Sequence, residues 1–253
     1  VIITASEIRN DTYHFFGTQI KKIFFICMFV TCISILIDMF IQPNVRIISI
    51  IENNKLINTH SFLDLVKNMN IIEKNQLLKY FIFKIIELLL SKTLLLGIML
   101  TLIFNVSSNK GEPMISLISS FFPFLPNLFI LNFLITFLIQ LGFMFFIIPG
   151  VLLSIMLSLS PIIFSFKKHS IIESMQISMS ISWQHIKIIG SGVILWMCSK
   201  FFVTTILSST YFLNKNIIFL ILNMSLNILY SLLIIYLFRF YMIFLRSQKL
   251  NIF

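Results

Sequence analysis

Acidic side chains are scarce in this chain of 253 residues: nine Asp and Glu stand against nineteen Lys and Arg, and together the four make up only 11% of it. Water-facing globules of this size carry charge on about a quarter of their residues, so a soluble fold is excluded. Histidine is rarer still, and His14, His60, His169 and His185 show no metal-ligand spacing. The cysteines number three, Cys27, Cys32 and Cys198, each inside an apolar run. An odd count in such places argues against a disulfide framework or a thiolate metal site. Seven glycines form no phosphate-cradling loop, and there is neither a Ser/His/Asp motif nor a usefully spaced carboxylate pair. No metal or cofactor is expected, and no residue is assigned a catalytic role.

What the chain does have is hydrocarbon. Hydrophobic residues make up 58% of it and mean hydropathy is +1.00, which predicts an all-α polytopic transmembrane bundle in one integral domain. The formal charge of +10 belongs with that topology, because the basic residues flank apolar runs and form no aromatic-interleaved patch. Nucleic acid is therefore not an expected partner.

From Pro126 to Phe166 no side chain is charged. A helix of that length, at about 1.5 Å per residue, would be twice as long as the roughly 30 Å of a bilayer core, so the segment must fold back once. Pro149 and Gly150 are the strongest breakers near its midpoint, which places the turn there. Beyond it, Gly150, Ser154 and Ser158 recur every four residues, a small-residue face that lets helices approach closely in lipid. Pro161 removes a backbone hydrogen bond that Ser158 or water would replace, and Lys167, Lys168 and His169 end the span. A polar helix lying on the membrane surface is expected over 171–183.

The strings IPGVLLSIMLSLSPIIF and SIIESMQISMSISW resemble the YciC family of uncharacterised enterobacterial inner-membrane proteins. They are more distantly similar to the membrane-anchor domain found beside some glycerophosphodiester phosphodiesterases. The likeness extends to the start, ITASEIRNDTYHFF, the middle, FPFLPNLFILNFLITFLIQLG, and the end, LNMSLNILYSLLIIYLFRFYM. It departs at Gln176, where related sequences carry arginine. The resemblance implies a six-span inner-membrane protein and brings no activity with it.

Read in order, the spans fall at about 23–41, 84–105, 126–147, 150–166, 188–207 and 217–238, with a hydrophilic outer loop over 43–83. Thr4 and Glu7 have capping-box spacing and open an interfacial helix with Ile8, Phe15, Phe16 and Ile20 on one face. Ser61 with Asp64 and Asn70 with Glu73 mark two further helix starts, the second leading into span two. A short surface helix is expected within 105–120. With both termini cytoplasmic, Arg9, Lys21, Lys22, Lys110, Lys167, Lys168, Lys187, Arg239, Arg246 and Lys249 lie inside. The outside then holds Lys215 and the basic residues of the long 43–84 loop segment, Lys84 among them, and the short-loop bias favours this orientation.

Ionisable and amide groups within spans are the first places to look for function. Lys92, Gln140, Lys200, Asn223 and Asn227 fall at one depth on four spans, about 12 Å below the outer surface at 1.5 Å per residue. They define a candidate polar cluster for an anionic headgroup or small anion. The competing expectation is that both lysines snorkel and the amides tie helices together. Asp38 and Glu87, near the outer ends, are candidate counter-ions or interface residues. The expected function is a non-catalytic module in envelope maintenance, with membrane lipids and other inner-membrane proteins as partners. Its alternatives are a transporter or channel for a small anionic or amphiphilic solute, and a lipid-modifying enzyme using Glu173 and His169.

Overall fold

The computed structural model describes residues 4–40, 70–107, 122–166, 169–209 and 215–250. Among them are eight α-helices: α1 (Ala5–Phe40), α2 (Ile71–Ser107), α3 (Leu125–Phe145), α4 (Ile147–Leu157), α5 (Ser160–Ser165), α6 (Ile171–Gln184), α7 (Ile186–Ser208) and α8 (Lys215–Leu250). A 3-10 turn, Phe122–Phe124, precedes α3, and no strand occurs among the described residues. Six segments are long and apolar enough to cross a membrane, α4 and α5 together counting as one. The Ser61 and Asp64 helix start, and most of the surface helix expected within 105–120, lie outside the described residues; α2 itself runs on to Ser107.

By its contacts the chain divides into two compact units, Val1–Thr31 with Lys92–Phe253, and Cys32–Ser91. In the smaller unit the Ser34 and Ser91 hydroxyls hydrogen-bond at 2.6 Å. Lys84 pairs there with Asp38 at 2.5 Å and with Glu87 at 2.8 Å. Asp38 and Glu87 thus share one cation, a lysine counted with the long outer segment.

In the larger unit the centre is the second half of α2, where Leu95, Leu96, Ile98, Met99, Leu100, Leu102 and Ile103 are all buried. A helix that is apolar all round has no solvent face to offer and goes to the middle of a bundle. Thr93 at its start accepts a hydrogen bond from Asn132 of α3 at 3.1 Å. At the other end, Phe104 meets Phe166 and Phe238 with ring centroids 5.2 Å apart in each case. Tyr241 closes that cluster, 5.3 Å from Phe166.

Two helices depart from the expected pattern. The interfacial helix and the first span are one continuous α1 of 36 residues, about 54 Å at 1.5 Å per residue. Without proline, and with Gly17 as its only glycine, nothing stops propagation once the helix has nucleated. The hairpin turn is at Phe146, not at Pro149 and Gly150: Phe146 alone is extended (φ −158, ψ 159), and α4 begins at Ile147. Pro149 then falls in the first turn of α4, where a missing amide hydrogen breaks no intrahelical bond and the fixed φ suits the helix.

Gly150 has a different task. A Cβ on it would lie 2.4 Å from the Phe143 ring, and one on Gly142 would lie 3.0 Å from the Gly150 Cα. The two glycines therefore bring the α3 and α4 backbones together just below the turn. Farther along α4, Ser154 donates to the Val151 carbonyl and lies 3.8 Å from the Met197 sulfur of α7. Ser158 donates to Ile155 O, while Ser178 of α6, 2.6 Å from Met156 O, caps a carbonyl beside the break between α4 and α5.

The helix expected over 171–183 is α6, and its serines face inward: Ser174, Ser178 and Ser182, spaced by four, are fully buried and form its packing face toward α4 and α5, while Ile172 and Trp183 are exposed. Small hydroxyl side chains allow close approach and can hydrogen-bond across helices, which is what a packing face in lipid needs.

Candidate functional site

Four helices carry the polar side chains expected to converge, and the structure sorts them into separate arrangements. Lys92 is half-buried at the head of the central stretch of α2. Lys200 is exposed and sits over the Trp196 ring, 5.8 Å from its centroid, a cation–π contact that offers its charge a partial substitute for water. Asn227 of α8 donates to the Thr31 hydroxyl of α1 at 2.9 Å. Asn223 is half-buried, and its amide nitrogen has no hydrogen-bond partner among the described residues. Gln140 lies on an exposed face of α3. Among the described residues none of the five hydrogen-bonds to another.

Asn227 belongs to a series along α1 and α8. Thr31 meets Asn227, the Cys27 thiol lies 3.4 Å from the Ser231 hydroxyl, and the Arg239 guanidinium lies 5.1 Å from the centre of the Phe15 ring. Falling numbers on one helix against rising numbers on the other define an antiparallel pair. Two of its hydroxyls also bond to a backbone carbonyl, Thr31 to Cys27 O at 2.7 Å and Ser231 to Asn227 O at 2.9 Å.

The Glu173 and His169 pair is absorbed locally. Ser170 is the N-cap of α6, its hydroxyl accepting from the Glu173 amide at 3.3 Å while its own amide donates to Glu173 Oε2 at 3.0 Å. This reciprocal box holds the Glu173 carboxyl below the usual carboxylate range, chiefly through the Ser170 amide. His169 Nδ1 lies 3.9 Å from the same oxygen, and both side chains are exposed.

A groove that the sequence did not announce runs along one face each of α1, α7 and α8. Its lining is Ala5, Arg9, Thr12 and Tyr13 from α1; Ser191, Gly192, Leu195, Trp196 and Ser199 from α7; and Leu229, Leu232, Leu233 and Tyr236 from α8. The groove volume is about 160 Å³. Gly192 makes the floor possible: a Cβ there would lie 2.4 Å from the Tyr236 ring, whose hydroxyl is held by the Ile188 carbonyl at 2.9 Å. The only signal in the sequence is that these positions recur at helical spacing on three separate helices, and one sequence does not say that those faces meet.

Comparison with known proteins places this architecture in company. A family model described as Uncharacterised protein family (UPF0259) matches residues 1–243. The chain is 59% identical to a UPF0259 membrane protein of Buchnera aphidicola subsp. Acyrthosiphon pisum, over 97% of this chain and 99% of that one. It is 56% identical to a UPF0259 membrane protein of Buchnera aphidicola subsp. Schizaphis graminum over the same shares. A UPF0259 membrane protein of Serratia proteamaculans is 31% identical, again over 97% and 99%. No solved structure matches the chain.

Proposed function

We propose, for a chain that belongs to the UPF0259 family of bacterial membrane proteins, a non-catalytic role as a six-span module of the inner membrane that holds lipid or another membrane protein in envelope maintenance. The observation that carries this is the filled centre of the larger unit. Leu95, Ile98, Met99, Leu102, Phe238 and Phe240 are each less than 2% exposed, and polar groups beside them bond helix to helix. Carriers need a polar path through both leaflets, and large apolar side chains on the axis oppose one. Lipid chemistry needs a free acid or base at the interface, whereas the Glu173 carboxylate accepts from the start of its own helix. Both termini are assigned to the cytoplasm, on the distribution of Lys and Arg.

The full chain, extracted in mild detergent, is expected to retain lipid or a membrane protein in native mass spectrometry, and in sealed vesicles to pass no small anion. Anion flux above that of empty vesicles would overturn the assignment. It would favour a transporter instead, and Lys92→Met and Lys200→Met would then abolish the flux. A carboxy-terminal reporter active only outside the cytoplasm should stay silent, and activity there would reverse the orientation.

A further inference from the structure

The groove between α1, α7 and α8 combines two chemistries that rarely share one wall. Its body is hydrocarbon and ring, with Leu229, Leu232 and Leu233 from α8 facing Leu195 and Trp196 from α7. Its α1 side brings a cation, Arg9, which is exposed and forms no ion pair among the described residues. A guanidinium presents a planar fork of donors that matches a phosphate, and it is weakly hydrated enough to remain at an interface. Tyr13 and Ser191 add hydroxyls to the lining beside it. A volume of about 160 Å³ accommodates several methylene groups and not a whole amphiphile, so a chain seated here continues into the bilayer.

We propose that this groove binds one anionic phospholipid, with its phosphate on Arg9 and part of an acyl chain against the α7 and α8 leucines and Trp196. The complementarity is of charge at one end and of apolar surface along the length, which excludes a free phosphate ion as occupant because most of the wall offers it nothing. The proposal rests on the lipid-holding role above and gives it an address and a headgroup charge. Within it, Gly192 is a shape-determining residue: the bare backbone leaves room for the Tyr236 ring against α7.

The test uses the full chain reconstituted in phosphatidylcholine vesicles with a minor share of phosphatidylglycerol, re-extracted gently, and read by native mass spectrometry. One phosphatidylglycerol per chain should be retained, enriched over its share in the vesicle by roughly tenfold, as expected for a hydrogen bond between charged groups. Arg9→Gln should return the enrichment to the vesicle ratio while leaving thermal stability unchanged, and Arg9→Lys should restore part of it. Ser191→Phe, from an exposed position on the groove wall, should release the lipid of either headgroup. Retention that is selective in the parent and unaltered by Arg9→Gln and Ser191→Phe overturns the groove and leaves the lipid-holding role standing. Enrichment lost in Arg9→Gln but kept in Ser191→Phe overturns the seat of the acyl chain. A parent that retains neither lipid nor a membrane protein overturns both.

Discussion

The α3 and α4 hairpin and the α1 and α8 pair solve one problem in opposite ways. Lipid tails are as apolar as leucine, so helices in a bilayer gain nothing from hiding apolar surface and must be drawn together by contact or by polar bonds. The hairpin uses contact: Gly142 and Gly150 remove side chains until a Cβ on the first would lie 3.0 Å from the Cα of the second. The long pair uses bonds, with Asn227 to Thr31 and Cys27 to Ser231 set across it. Contact of this kind tolerates no added atom. A hydrogen bond between helices has a small net value, because a separated helix finds other partners.

The largest effect should therefore follow from restoring a side chain to the hairpin. Gly142→Val puts branched carbon against the Gly150 backbone, which cannot rotate away, whereas the nearest other atom is the tip of Leu153 at 2.8 Å and can. We expect a loss of about 3 kcal/mol or more, seen as early thermal aggregation in detergent. Gly142→Val as stable as the parent would break the distinction between the two regions at its stronger end. Next comes Ser178→Ala, which strips the Met156 carbonyl of the hydroxyl 2.6 Å away. About 1–2 kcal/mol should be lost, the range for a buried group left without its partner, and Ser178→Thr should recover part of it in the same melt.

Asn227→Leu tests the other side. Thr31 keeps its own bond to the Cys27 carbonyl, so only the amide and one acceptor site are affected. Double-mutant measurements between transmembrane helices average about 0.6 kcal/mol with a maximum near 1.7, and a loss in that range is expected by steric-trap or denaturant unfolding. A loss greater than that of Gly142→Val would invert the ranking and make the polar bonds the principal tie.

Six apolar spans were legible because length and hydropathy are one-dimensional properties, and a stretch from Pro126 to Phe166 without charge admits a single physical reading. The position of the turn was not, since Pro149 suits the first turn of a helix as well as it suits a bend; only the extended Phe146 decides between them. A polar helix over 171–183 was legible, but not which side of it packs: the serines at 174, 178 and 182 are its buried face. Lys84 was assigned to a loop, although its spacing to Glu87 is that of an intrahelical pair. Of the polar cluster, distance along each helix could be counted and azimuth could not, which is why Gln140 lies on an exposed face while Asn227 reaches Thr31. The groove needed three helix faces to be known at once.

The smallest expected effect separates α6 from the hairpin by pH. The Glu173 carboxyl is held below its ordinary range, first by the Ser170 amide, with the Ser170 hydroxyl and a charged His169 adding to it. A carboxylate whose value is lower folded than unfolded contributes stability above the unfolded value and loses it as pH falls through the folded one. The first turn of α6 should therefore open more readily as pH drops below the usual carboxylate range, while the Gly142 and Gly150 contact, which has nothing to titrate, should not respond. Hydrogen exchange at the amides of Glu173 and Ser174, taken relative to Glu173→Gln to remove the intrinsic pH dependence, reads this directly. Equal acid sensitivity at the amides of Gly142 and Phe146 would show that the whole bundle was loosening, and would deny the capping box a separate contribution.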